Sequence, residues 1–312
     1  MRALVTGGAG FIGSNLVDAL VAAGGDVVVL DDLSTGFVEN ITDAATVVEG
    51  EVSDPDAVAR AVAGCEIVFH LAAHRAVLRS VEQPLETDRA NVGGTLTVLV
   101  AARDAGARRV VCASSSSVYG GAEQLPTPET APLLPRSPYA VSKLAGEHYC
   151  RVFWELFGLE TVALRYFNVY GPRQRPDSRY AAVIPLFVDA LSRGAPPEVH
   201  GDGLQSRDFT FIADAVAANL RAAEAPARQC AGRAYNVAGG ASYSLLDLIA
   251  ILQRIIGVEV TPSHVAPRAG DVRHTRADID AVAADLGHRP SVSFEEGLAR
   301  TVEWFRGRGV SP

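Results

Sequence analysis

Two side chains that can share a proton stand four residues apart, Tyr139 and Lys143. On a helix that spacing puts both on one face. A neighbouring ammonium favours the phenolate, so a tyrosine in such company can act as a base near neutral pH. The lysine can also hold a ribose hydroxyl. Upstream, the serines Ser114 to Ser117 close a β-rich run and lead into Val118-Tyr119-Gly120. In an open α/β sheet, ligands bind beyond the carboxyl ends of the strands, so these hydroxyls and Tyr139 can converge there. Alone, each signal is weak. Tyr and Lys at helical spacing are common, and a serine run reads equally well as a polar loop.

A second group of residues has the chemistry to hold phosphate. Gly7, Gly10 and Gly13 follow the apolar run Ala3-Leu4-Val5 in the stretch Thr6-Gly7-Gly8-Ala9-Gly10-Phe11-Ile12-Gly13. The first glycine suits a tight turn, the second lets backbone approach a pyrophosphate, and the third lets a helix pack close to the sheet. The helix N-terminus then faces the phosphates. The next apolar run, Val27 to Leu30, ends in Asp31-Asp32. An acid there accepts ribose hydroxyls and repels a 2′-phosphate, so the pocket selects NAD over NADP.

These residues need elements to position them, and the sequence supplies an alternation. Helical periodicity over 11–23, 55–63, 91–105 and 137–157 separates β-rich runs at 3–5, 27–30, 47–48, 66–71, 109–113 and 161–166. Asp54 is placed to cap the second helix. Such alternation implies an α/β fold, a doubly wound parallel sheet with helices on both faces. After Gly171-Pro172, prolines at 172, 176, 185, 196 and 197 break the pattern. We therefore expect a nucleotide-binding domain over residues 1–170. A smaller C-terminal lobe over 171–312 follows, with some chain crossing back to the first. Helices are expected over 245–256 and 294–305, and a helix end at Asp285 to Gly287.

Composition narrows the function. The net charge is −8 over 312 residues, which disfavours nucleic acid held by backbone electrostatics. No apolar stretch reaches membrane-spanning length, and the N-terminus enters Gly7-Gly8 without a secretory core, so a cytoplasmic protein is expected. Cys65, Cys112, Cys150 and Cys230 form no C-x-x-C and read as reduced structural thiols. The seven histidines show no ligand spacing, so no metal is expected.

Taken together, TGGAGFIG at 6–13, HLAA at 70–73, ASSSSVYG at 113–120, SPYAVSK at 137–143, LRYFNVYGPRQ at 164–174, GDGLQSRDFTFI at 201–212 and PRAGDVRH at 267–274 carry a resemblance along essentially the whole chain. It resembles the extended short-chain dehydrogenase/reductases, specifically nucleotide-sugar epimerases of the UDP-galactose 4-epimerase type. The resemblance implies a Rossmann-like fold, NAD, a UDP-sugar substrate and a homodimer built on helices 91–105 and 139–157. It implies a catalytic set of Tyr139 as base and acid, Lys143 as the residue that tunes it, and Ser115 on the sugar 4-hydroxyl. The cofactor would lie against Gly7, Gly10, Phe11, Ile12, Gly13, Asp31, Asp32, Glu51, Val52, Leu71, Ala72 and Ala73. The substrate would meet Arg75, Ser115, Ser116, Ser117, Asn168, Val183 and His200, with Arg207 and Arg268 on the diphosphate and Asp271 on the uridine ribose. Asn91 resembles a position near the sugar or cofactor. The implied reaction inverts C4 of the sugar through a 4-keto intermediate.

Relatives of the same fold do other chemistry, so the site must decide. Dehydratases of the superfamily carry an Asp-Glu pair just before V-Y-G, and decarboxylases a Glu. Here those positions are Ser116 and Ser117, which disfavours both reactions. A non-catalytic NAD-binding sensor would not need a tuned phenol. For the sugar, Gly171 to Asp177 is similar to the segment in UDP-glucuronate 4-epimerases, where the residue matching Arg175 faces the carboxylate; a guanidinium suits that task. Asn168 and the stretch Tyr180 to Pro185 resemble the N-acetylhexosamine and neutral-sugar enzymes instead. UDP-glucuronate is ranked first, UDP-N-acetylglucosamine second and UDP-glucose/galactose third.

Overall fold

The structure is a computed structural model that describes residues 1–176, 181–267 and 272–307. Its strands are β1 (Arg2–Thr6), β2 (Asp26–Asp31), β3 (Thr46–Glu49), β4 (Ile67–His70), β5 (Arg109–Ser115), β6 (Glu160–Tyr166), β7 (Val169–Tyr170), β8 (Glu198–His200), β9 (Ser206–Asp208), β10 (Thr210–Phe211), β11 (Arg233–Val237), β12 (Ser242–Ser244) and β13 (Ser263–Val265). Its helices are α1 (Phe11–Ala22), α2 (Pro55–Val62), α3 (Val77–Glu82), α4 (Pro84–Asp88), α5 (Gly94–Asp104), α6 (Pro138–Phe157), α7 (Val183–Ser192), α8 (Ile212–Glu224), α9 (Ala227–Cys230), α10 (Leu245–Ile256), α11 (Asp280–Leu286) and α12 (Phe294–Gly307).

Seven parallel strands form one sheet in the order β11-β6-β5-β4-β1-β2-β3. Their runs are apolar on both faces, as strands covered by helices on each side must be. Alternate residues divide the core in two. Val5, Val29, Phe69, Val111 and Leu164 join α1 and α8 on one face. Leu4, Val28, Leu30, Val68 and Val110 join α2, α5 and α6 on the other. The chain winds outward from β1 to β3, then returns beside β1 with β4 and winds the other way. Between β1 and β4 the connections part, and a crevice opens at the carboxyl ends of the strands.

Beyond residue 171 the chain builds two short strand pairs, β9–β12 and β8–β13, around α7 and α10. It also returns to the large sheet: α8 packs on α1, and β11 pairs with β6. The expected helix 91–105 is regular only from Gly94, because a π-helical turn over Arg89–Gly93 precedes it. Helix α7 was hidden in the sequence by Pro185. The proline lies in the first helical turn, where its missing N–H costs nothing.

Candidate active site

The glycine turn is held by close approach. Gly7 sits at φ 71°, and a Cβ there would lie 2.7 Å from the Ala72 amide nitrogen. A Cβ on Gly13 would lie 2.1 Å from the Gly7 carbonyl oxygen, so the first turn of α1 can seat on that carbonyl only with glycine. Helix α1 begins at Gly10 with no side-chain cap and no acid in its first turn. Its leading amides are therefore open to an anion. At the end of β2, Asp31 accepts the Ala9 amide at 2.9 Å on one oxygen and the Leu33 amide at 2.9 Å on the other. Burial raises its pKa, against those two bonds. The carboxylate thus ties the glycine loop to β2. This floor, cradled by glycines with an anchored acid at one end, fits the pyrophosphate and ribose of a dinucleotide.

His70, which opens the HLAA motif but was given no role of its own, locks the floor from beneath. Thr95 Oγ1 donates to the Asn91 carbonyl at 2.5 Å, so it must accept from His70 Nε2 at 3.0 Å. The neutral ring then accepts at Nδ1 from Thr6 Oγ1 at 2.8 Å, and Thr6 in turn accepts the Ala72 amide at 3.2 Å. Burial, with the Lys143 charge adding to it, lowers the His70 pKa to about 3, so the ring stays neutral. Asn91 extends the lock: it accepts the His74 amide at 2.7 Å and donates to Ser142 on α6 at 2.9 Å.

Helix α6 carries the proton-handling pair. Ser137 caps it through the Ala140 amide, Pro138 opens its first turn, and Gly158 ends it at φ 69°. Tyr139 and Lys143 lie one turn apart, with the ammonium 6.0 Å from the phenol ring centre. Lys143 Nζ donates to the Ala113 carbonyl on β5 at 2.8 Å, which fixes it at the strand end. Ser115 accepts the Ser117 amide at 3.2 Å, leaving its hydroxyl proton to donate elsewhere. Arg75 faces the same space. Desolvation there lowers its pKa.

One cavity of about 540 Å³ brings these parts together. It is lined by every expected cofactor residue: Gly7, Gly10, Phe11, Ile12, Gly13, Asp31, Asp32, Glu51, Val52, Leu71, Ala72, Ala73, Tyr139 and Lys143. Arg75, Ser115 and Asn168 line it too. The other expected substrate residues lie elsewhere. Ser116 and Ser117 form a 3-10 turn just past the cavity wall, and Val183 starts α7 against the core. Arg175 stacks its guanidinium on the Phe37 ring, 4.1 Å from its centre, and Gln174 takes the place on the cavity wall. His200 lines a second cavity of about 380 Å³ with Asp202, Gln205, Val272 and Arg273. Arg207 donates to the Ser206 and Arg273 carbonyls. Arg268 and Asp271 lie outside the described residues. Glu86, Arg89, Tyr166 and Gln174 line the main cavity without having been singled out. Tyr166 and Gln174 stood inside the quoted LRYFNVYGPRQ motif; Glu86 and Arg89 carry no local signal.

Fold and site together define an enzyme of the Rossmann type that uses NAD. Comparison with known proteins agrees: the NAD dependent epimerase/dehydratase family matches residues 3–238. The UDP-glucose 4-epimerase of Mycolicibacterium smegmatis is 42% identical over 315 residues, spanning 99% of both chains. The structure of UDP-glucose 4-epimerase from Thermotoga maritima with UDP-glucose superposes with a TM-score of 0.95 at 38% identity, covering 99% of each chain. A UDP-N-acetylglucosamine 4-epimerase from Methanobrevibacter ruminantium M1, solved with UDP-N-acetylmuramic acid, superposes at 0.94 with 38% identity over 98% of each chain. The chain belongs to the NAD dependent epimerase/dehydratase family and is an NAD-dependent isomerase.

Proposed function

We propose that the protein is a UDP-sugar 4-epimerase that interconverts UDP-glucose and UDP-galactose. The observation that carries this reading is that Tyr139, Lys143 and Ser115 line the same cavity as the glycine turn. Bound NAD supplies a reversible hydride acceptor. The chain's residues do the rest. Tyr139 takes the proton from the sugar 4-hydroxyl and returns it to the opposite epimer. Ser115 donates to the same oxygen and orients it. Lys143, fixed to the Ala113 carbonyl, stands one helical turn from Tyr139 on the same cavity wall. With Ser116 and Ser117 where an acid would be needed, neither elimination of water nor loss of CO₂ has a group to drive it.

The sugar ranking changes with the geometry. Arg175, on which glucuronate stood first, lies on Phe37. The M. smegmatis relative supports UDP-glucose, and the M. ruminantium one keeps UDP-N-acetylglucosamine as second reading. Glucuronate follows. The deciding assay presents UDP-glucose, UDP-N-acetylglucosamine and UDP-glucuronate side by side, with C4 configuration read by NMR. UDP-galactose formed fastest is the expected result. Preference for glucuronate, lost in Arg175→Ala, would restore the uronate reading.

A homodimer belongs to the same proposal. Helix α6 exposes Val141, Val152 and Leu156, and α3 exposes Val77, Leu78 and Val81. Leu156, on the helix 139–157 expected to pair with 91–105 across the two-fold axis, is 70% exposed, which a second copy would cover.

A further inference from the structure

Beneath the active site lies a buried polar group that the proposed chemistry does not use. Glu147 follows Lys143 by one helical turn on α6, so Tyr139, Lys143 and Glu147 form one row. Glu147 and Arg165 are both almost wholly buried. They meet in a two-pronged pair, Nε to Oε1 at 2.9 Å and Nη2 to Oε2 at 2.7 Å. Ser114 Oγ donates to Glu147 Oε1 at 2.5 Å. Ser114 and Arg165 are themselves paired across β5 and β6, so one carboxylate grips both strands where Ser115 leaves the sheet.

The group extends toward the second lobe. Arg165 Nη1 donates to the Tyr119 hydroxyl at 2.8 Å and to the Glu129 carbonyl at 3.2 Å. The Tyr119 hydroxyl donates to Asn236 Oδ1 on β11 at 2.7 Å. Asn236 in turn donates to the Thr127 and Asp278 carbonyls. The bonding potential of the guanidinium and carboxylate is thus well used, which a buried charge pair requires.

We propose that Glu147 and Arg165 are positioning residues that set the row of Tyr139 and Lys143 on α6 against Ser115 at the end of β5. Two residues of the row reach the same strand end: Lys143 grips Ala113 and Glu147 grips Ser114. Without the second grip, the lysine alone holds this row to the end of β5, and the row can shift there. The hydroxyl of Ser115 and the phenol of Tyr139 would then no longer meet one sugar oxygen. The turnover part of this inference rests on the epimerase reading.

The test replaces both charges at once, because removing one leaves its partner buried and unpaired. Glu147→Leu with Arg165→Met keeps bulk and is expected to fold, with circular dichroism and NADH binding as for the unaltered protein. With UDP-glucose, kcat is expected to fall between about 10- and 100-fold, the scale of a small misplacement, while KM stays within about threefold. Tyr119→Phe, which removes a single hydroxyl, is expected to lower kcat less and in the same direction. A second readout needs no substrate. Amide exchange over residues 113–116 and 139–143 should quicken in the double variant while the other sheet amides keep their rates. Unchanged exchange in those segments overturns the proposal, as does an unchanged kcat in the folded variant. A general quickening also overturns it, since that marks a merely structural role. If the unaltered protein turns over no UDP-sugar, the epimerase reading fails, and the exchange comparison still decides the positioning role.

Discussion

The phenol oxygen of Tyr139 is the atom on which the proposed chemistry turns. Tyr139→Phe keeps the ring and removes only the proton carrier. Turnover is expected to drop by about 10²- to 10⁴-fold, while NADH still binds in a fluorescence titration. Equal turnover would leave a binder that does no proton chemistry. Tyr139, Lys143 and the three glycines were legible because their meaning is local: a four-residue spacing and a strand–turn–helix context suffice. Arg175 was not legible in this way. Its position in the chain suggested a carboxylate partner, but its guanidinium finds Phe37, which stands far upstream after β2. Nothing within a few residues of Arg175 announces that aromatic face. His70 was illegible for the same reason, since its role needs Thr6 and Thr95 from two other elements.

At the scale of elements, the turn at β9 carries a pH signature. Asp208 is fully buried, and its carboxylate accepts the Gly240 amide at 3.1 Å and the Ala277 amide at 3.0 Å. Burial outweighs these bonds and raises its pKa from 3.8 to about 6. The folded state therefore holds this proton more tightly than the unfolded chain. The group contributes most at low pH and loses that contribution as pH rises from about 4 to about 6. His70 has the opposite sign, because its pKa is lowered: its contribution is complete above about pH 6.5 and falls away toward pH 3. In Asp208→Asn the first slope should vanish. Urea denaturation of both proteins at pH 4, 5, 6 and 7 should show their stability difference shifting by about 2 kcal/mol in favour of Asn as pH rises. A constant difference would show that the carboxyl titrates as in the unfolded chain. Elements were legible where periodicity was clean, as in α1, α6 and α10. The capping of α2 by Asp54 was legible too, and its side chain accepts the Asp56 amide at 3.0 Å. Helix α8 was less legible, because its buried stripe is made largely of small alanines and includes the polar Asp214 and Asn219, a weak apolar signal. Helices α3 and α4 are each under two turns, too short for a periodic signal.

For the whole molecule, the alternation of strand and helix was enough to give a doubly wound sheet. That β11 would close the sheet beside β6 was beyond it, since pairing of strands so far apart leaves no local mark. The exposed apolar face of α3 and α6 makes its own forecast. Leu156→Glu should shift the protein from dimer to monomer in light scattering after gel filtration, because a charge would be buried in the proposed interface. A monomer in the unaltered protein would remove the dimer from the proposal. One feature of α1 reaches further than the site it serves. The helix opens on Gly10 with neither a capping side chain nor an acidic first turn. Its amides are completed by the cofactor's phosphates or by water, so loading NAD and finishing the fold draw on the same groups. The dinucleotide is then as much a structural part as a reagent. Its concentration sets the melting point: at 100 times Kd, about 2.7 kcal/mol of the protein's stability comes from the nucleotide. A fall in NAD would therefore lower the melting point of this enzyme as well as idle it.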